Sequence, residues 1–377
     1  MKKSILLLFA LSMGLNLFAA DFTVDSISYN ITSVIEPYTV EVTRSTSNYT
    51  GSVCIPATVN YNGIDYSVTT IGYLGFENGL TSISLPVSIT SIGDNVFGEC
   101  YNLASVSLPD SLISIGNNAF YKCYSLTSIN IPSSLKSIGA EAFYNCFGLT
   151  SINLPASLTS IGGGAFAGCH GFTSISIPAS LTSIGAGVFN SCTHLTSVSL
   201  PNSTFSIGSS AFENCWALTS ISLPASVTSI GSSAFKYCTG LASIYTYSAT
   251  PASISLSNSV FSNLNTTKCI LYVPSGSKSL YQAAAQWKNF TKIVEFNPTS
   301  AEIIGADALE IYPNPVEEGF YVSGLQKETL LYVYDINGKM LLRTLTSNKH
   351  EISTKELPAG VYVVKVEGMN KKIVVKK

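Results

Sequence analysis

From Leu80 to Tyr247 the apolar positions return every 23 residues, a period that belongs to neither an isolated helix nor an isolated strand. The unit reads L-T-S-I-x-L-P-x-S-L-T-S-I-G-x-x-A-F-x-x-C-x-x. Phenylalanine marks it at Phe97, Phe120, Phe143, Phe166, Phe189, Phe212 and Phe235. Cysteine follows three residues later, at Cys100, Cys123, Cys146, Cys169, Cys192, Cys215 and Cys238. A glycine stands four residues before each phenylalanine, from Gly93 to Gly231.

Each position in the unit has a physical task. The opening L-x-x-I-x-L, as in Leu149, Ile152 and Leu154, suits a strand entering a core. The proline that follows (Pro86 through Pro224) ends that strand and turns the chain. S-I-G is a second short extended piece that buries its isoleucine, and its glycine is expected to permit a backbone reversal. A-F-x-x-C reads as one turn of α or 3₁₀ helix with Ala, Phe and Cys inward. One unit cannot bury its own apolar face, so neighbours must stack into a solenoid. Truncating one ring of the spine, as in Phe166→Ala, costs about 3–5 kcal/mol.

The fold class expected is therefore mainly β, a solenoid of 23-residue units with short helical turns. If A-F-x-x-C is helical, adjacent turns stand about 10 Å apart, too far for their cysteines to form disulfides. The cysteines then read as a buried ladder of small apolar thiols. No CxxC or nearby histidine set points to a metal, and no cofactor is expected.

Composition changes the picture at the two ends. Charged residues make up only 11% of the chain and the net charge is −2, so nothing favours nucleic acid or anionic lipid. Of 20 Lys and Arg, ten fall after Glu310, which sets the last segment apart. Lys2, Lys3 and the apolar run to Phe18 read as a secretory signal over 1–20. No later run is long enough to cross a membrane as a helix. Residues 21–79 read as an N-terminal cap with a hairpin turning at Asn62-Gly63 and a degenerate first rung ending near Phe76. Repeats occupy 80–247, a C-terminal cap 248–296, a linker 297–309 and a last domain 310–377.

The repeats resemble the BspA-like leucine-rich repeats of bacterial surface proteins. The likeness rests on the hairpin entry, the S-I-G-x-x-A-F-x-x-C unit and the exit from Tyr272-Val273-Pro274 to Trp287-Lys288-Asn289-Phe290. It implies a right-handed, gently curved solenoid and a repertoire of adhesion or macromolecule binding rather than catalysis. The last domain resembles a type A C-terminal sorting domain through Tyr312-Pro313-Asn314-Pro315, Asp335 with Gly338-Lys339, and Gly360 with Tyr362. That likeness implies the type IX secretion machinery of Bacteroidota as a partner, and a place at the outer-membrane surface or outside the cell. The segment by itself reads as alternating strands of a small Ig-like β-sandwich, with Asp335-Ile336-Asn337-Gly338 a hairpin turn rather than a calcium loop.

Catalysis is not expected, because His170, His194 and His350 are the only histidines and no nucleophile-elbow spacing exists. Two surfaces are binding candidates. One is the hydroxyl column Ser82, Ser105, Ser128, Ser151, Ser174, Ser197 and Ser220. The other is the variable position after the cysteine, which holds Tyr101, Tyr124, Phe147, His170, Thr193, Trp216 and Thr239, with Tyr121, Tyr144 and Tyr237 nearby. The expected partner is an extracellular protein or glycoprotein; the alternative is a structural or glycan-capturing envelope component.

Overall fold

The computed structural model describes residues 20–43, 49–72, 79–297, 310–312, 319–323, 329–335, 339–346, 351–366 and 369–375. The apolar leader before Ala20, Phe76, residues 298–309, Pro313, Asn314, Pro315 and Gly338 lie outside the described residues.

The chain enters through strands β1 (Phe22–Val24), β2 (Ile27–Ser33), β3 (Thr39–Thr43), β4 (Gly51–Cys54), β5 (Thr58–Tyr61) and β6 (Ile64–Ile71). β5 and β6 pair antiparallel and turn at Asn62 and Gly63, whose φ angles of 53° and 80° are those a two-residue hairpin loop requires. β6 then lies parallel to Ser91–Ile92, which starts the ladder of rungs.

Each rung has three sides. Strands such as Leu80–Ser84, Ser105–Ser107, Ser174–Ser176 and Ser197–Ser199 form the first, with isoleucine or valine inward and serine outward. Proline closes this side with a tight turn, its carbonyl accepting from the N–H three residues on, as in Leu135 to Pro132 at 3.1 Å. The serine in that turn clips it to the preceding rung: Ser134 Oγ donates to Leu112 O at 2.6 Å, and Ser157 Oγ to Leu135 O at 2.6 Å. The second side is the Ser-Ile strand, in parallel register from Ser91–Ile92 through Ser160–Ile161 and again from Ser183–Ile184 to Ser255–Leu256.

The third side corrects the expectation of a helical turn. A-F-x-x-C forms successive tight turns around two left-handed residues per rung, such as Asn95 and Glu99 (φ 57° and 62°) or Asn118 and Lys122 (φ 53° and 58°). A left-handed residue every four positions interrupts any helix. The N–H groups bond to the next rung instead: Phe97 to Ala119 O at 2.8 Å and Glu99 to Tyr121 O at 2.6 Å. This side is therefore as closely spaced as a sheet. The spine rings stack at 5.1 Å between Phe97 and Phe120 and at 5.8 Å between Phe166 and Phe189.

The 10 Å spacing that was to keep the cysteines apart thus does not hold, yet no disulfide forms. All nine cysteines are thiols. In the ladder each thiol from Cys123 to Cys238 donates to a phenylalanine carbonyl 26 residues earlier, at 3.1–3.2 Å. All fourteen Phe and Cys positions of the ladder are fully buried. Burial, which disfavours a thiolate, pushes Cys100, Cys192 and Cys238 up to about 12.

The repeat glycine is also needed for a different reason than backbone reversal. Its φ is positive in no rung, and in five of the seven rungs space is what restricts it. A Cβ on Gly139 would lie 2.5 Å from Asn117 N, and one on Gly162 2.3 Å from Ala140 N. The chain of the preceding rung passes too close for any side chain there.

Beyond the repeats, Ile270–Pro274 and Lys292–Phe296 extend the first side in parallel. Phe261 continues the spine, stacking on Phe235 at 6.0 Å. Helix α1 (Lys278–Ala283) buries Tyr281 and leads into Trp287 and Phe290, both also buried. The C-terminal strands form two antiparallel sheets, one of Glu310–Tyr312, Gly319–Ser323 and Glu351–Ser353, the other of Thr329–Tyr334, Met340–Thr346, Gly360–Val366 and Met369–Val375. Phe320, Val333, Ile352 and Val364 share one small core between them.

Candidate ligand-binding surface

The residue after each cysteine is thrown outward by the turn before it. Its N–H bonds back two residues to the carbonyl of the left-handed position: Tyr124 to Lys122 O at 2.8 Å, Phe147 to Asn145 O at 2.9 Å, His170 to Gly168 O at 2.8 Å. With cysteine held inward, the next side chain has only the solvent side to occupy.

Four of the five candidates are brought together as one outer stack. Ring centroids lie 5.0 Å apart for Tyr101–Tyr124, 4.8 Å for Tyr124–Phe147 and 4.9 Å for Phe147–His170, with interplanar angles of 10°, 3° and 15°. Trp216 is not part of this stack, because Thr193 occupies the intervening rung. Tyr124, Phe147 and Trp216 remain 36%, 40% and 55% exposed, while Tyr101 and His170 are half-buried. Packing between turns and exposure to solvent are therefore both satisfied: faces meet, edges stay open.

Polar groups frame the stack. Tyr121 and Tyr144 stack beside it at 5.2 Å, and Lys122 Nζ sits 4.9 Å over the Tyr121 ring while reaching Glu99 Oε1 at 3.0 Å. The hydrogen bond to Glu99 raises Lys122 above its ordinary pKa, and desolvation with the nearby Glu99 charge raises the Tyr101 phenol. At the far end, Thr193 Oγ1 lies 3.1 Å from His170 Nδ1, and His194 Nδ1 lies 2.8 Å from His170 O. Two rungs on, Lys236 pairs with Glu213 at 3.0 Å and covers the Tyr237 ring at 5.3 Å. Burial raises the Glu213 carboxyl, but hydrogen bonds from Ser210 and Lys236 outweigh it and hold the group below its ordinary pKa.

The serine column lies on the first side of the rungs, exposed or half-buried throughout. Ser82 is in register with Ser105, Ser174 with Ser197, and Ser220 with Ser243, whereas Ser128 and Ser151 fall on rungs without a strand on this side. Sequence reasoning missed one aromatic group here. Tyr245 takes the register position of Ser222 and stacks on Tyr272 at 4.4 Å, with Phe296 edge-on at 5.8 Å. The replacement of serine by tyrosine at an outward repeat position was the available signal.

Among the described residues no cluster of three or more His, Cys, Asp or Glu is placed to hold a metal ion, and no helix is long and apolar enough to cross a membrane. Of the sorting-motif residues, Tyr312 pairs with Tyr321, and Gly360 and Tyr362 lie in the strand Gly360–Val366. The Tyr362 hydroxyl donates to Pro358 O at 2.7 Å. Asp335 Oδ1 accepts from Lys339 N at 2.9 Å, and Asp335 N donates to Lys339 O at 3.0 Å.

Comparison with known proteins places these features. No curated protein matches the chain. Among solved structures, a leucine-rich repeat protein from Bacteroides ovatus is 27% identical, covering 75% of this chain and 80% of that one, with a TM-score of 0.53. The leucine-rich repeat protein of T. pallidum is 30% identical over 52% of this chain and 90% of its own, with a TM-score of 0.46. Residues 310–377 match the secretion system C-terminal sorting domain, the tail of an exported protein. Six copies of the BspA type leucine rich repeat region match across 57–173 and 160–291, and the chain belongs to that family.

Proposed function

We propose that this protein is handled by type IX secretion machinery through its sorting domain, stands at the cell surface or is released, and there binds an extracellular protein or glycoprotein. It is not an enzyme in this reading. The observation that carries the reading is the outer stack of Tyr101, Tyr124, Phe147 and His170. The buried phenylalanine spine already holds the rungs together. A second, solvent-edged aromatic column beside it supplies rigid, amphipathic contact area of the kind that dominates binding energy at interfaces. Trp216 extends that surface along the same column.

The test is binding of the full chain to an array of matrix proteins and glycoproteins. Saturable binding that falls at least tenfold when Tyr124, Phe147 and Trp216 are replaced together by serine, at an unchanged thermal midpoint, supports the reading. Binding untouched by that triple replacement rejects it in favour of a structural or glycan-capturing envelope component.

A further inference from the structure

A second site lies away from the aromatic column, at the C-terminal end of the solenoid. A cleft of about 560 Å³ opens between the segment Pro251–Leu256 and helix α1. Pro251, Ile254 and Leu256 form one wall, and Leu280, Ala283 and Trp287 the other. This volume falls within the range of small-molecule sites, about 300–1,000 Å³.

The chemistry of the walls narrows the occupant. No titratable side chain lines the cleft, so a charged ligand would lose its hydration without gaining a partner. Gln286, one of the few polar residues in the wall, has both ends of its amide tied to the protein. Its Oε1 accepts from Val260 N at 3.0 Å, and its Nε2 donates to Ser257 O at 2.6 Å. These bonds hold the Gln286 backbone at φ 63°, a conformation that a non-glycine residue keeps only when its surroundings enforce it. The wall is thus fixed in advance. Trp287 is buried between Phe261 and Tyr281, at 5.1 and 5.4 Å, and its indole N–H finds no acceptor in the protein. That N–H is itself shut off from the surface, so it offers an occupant of the cleft no bond.

We propose that this cleft binds a small, uncharged, largely apolar molecule. A sugar, with hydroxyls on every face, finds too few partners here. The proposal does not depend on the aromatic column and stands or falls separately from it.

The uncharged naphthyl ketone Prodan is a suitable probe, because its emission reports both polarity and hydrogen bonding at its carbonyl. Full chain carrying Trp216→Phe keeps Trp287 as its single tryptophan. One Prodan per chain, with Trp287 emission quenched by energy transfer, is expected. Ala283→Phe, which fills the cleft from an exposed position, and Leu280→Glu, which puts a charge in its wall, should each weaken binding at least tenfold at an unchanged thermal midpoint. Absence of binding, or equal binding by the Ala283 and Leu280 variants, overturns the proposal. So does a chain that is dimeric until the dye dissociates it, since the cleft's occupant is then a second copy.

Discussion

The thiol of Cys169 donates a hydrogen bond to the backbone carbonyl of Phe143 at 3.2 Å, reaching back across one rung to the turn of its neighbour. The same bond recurs down the ladder, so the cysteines serve as small side chains that are also donors. Serine would make the bond but bury a more polar group; alanine would fill less of the space and make none.

One consequence concerns reactivity. Cys54 is exposed, whereas the seven ladder thiols and Cys269 are buried. Only the thiolate reacts with alkylating reagents, and burial disfavours it. Iodoacetamide on the native chain should therefore modify one thiol, at Cys54, and all nine after denaturation. Native labelling at Cys123 or Cys169, mapped by peptide mass, would show that the ladder opens.

A second consequence is a loss of stability at high pH. Desolvation holds Cys123, Cys169 and Cys215 well above an ordinary thiol, and carries Cys100, Cys192, Cys238 and Cys269 to about 12. In the unfolded chain these thiols ionise near about 8.5. Below that pH both states keep the proton and the thiols add no pH dependence. Above it the unfolded state releases protons that the folded state retains, so stability falls as pH rises toward the folded values. Each fully shifted thiol contributes a slope of about 1.4 kcal/mol per pH unit. Urea midpoints should stay level from about pH 7 to 8 and drop between about 9 and 10.5, and less steeply in Cys192→Ala. A level midpoint across the upper range would contradict this.

The glycine column offers a paired comparison. A Cβ at Gly162 would meet Ala140 N at 2.3 Å, whereas one at Gly185 meets nothing nearer than Val188 Cγ2 at 3.3 Å. Gly162→Ala should thus cost about 1–3 kcal/mol or more as the rungs are forced apart, and Gly185→Ala less than about 1 kcal/mol. Thermal unfolding of the two variants checks the difference. Equal losses would mean that conformation, not space, restricts the column.

The sequence made the solenoid legible because every buried position repeats in register. Phe166 announces itself through Phe143 and Phe189, and the Asn62-Gly63 turn through its own backbone requirement. The third side was not legible. Its left-handed positions are held by Asn, Glu, Lys, Ser and Tyr as well as glycine, so residue type does not reveal them. Lys122 and Tyr237 read like helix residues and adopt φ values of 58° and 60° because the neighbouring rungs take their backbone bonds. The aromatic column was readable as a variable position, but its stacking into a four-ring ladder required the sheet-like spacing that the helical reading had denied. The cleft beside Trp287 has no repeat to betray it.

The identity of successive rungs has a cost in folding. Ser114-Ile115 pairs with Ser91-Ile92 and with Ser137-Ile138 through the same residues in the same register. A strand displaced by one whole unit would find nearly equivalent neighbours, so the repeats alone leave alignment degenerate. What breaks the tie are the features that occur once: the β5–β6 hairpin at one end and the Tyr281, Trp287 and Phe290 block at the other. The ends of this molecule therefore count the rungs between them, and damage there should yield slipped and partly paired chains rather than a simply shortened solenoid.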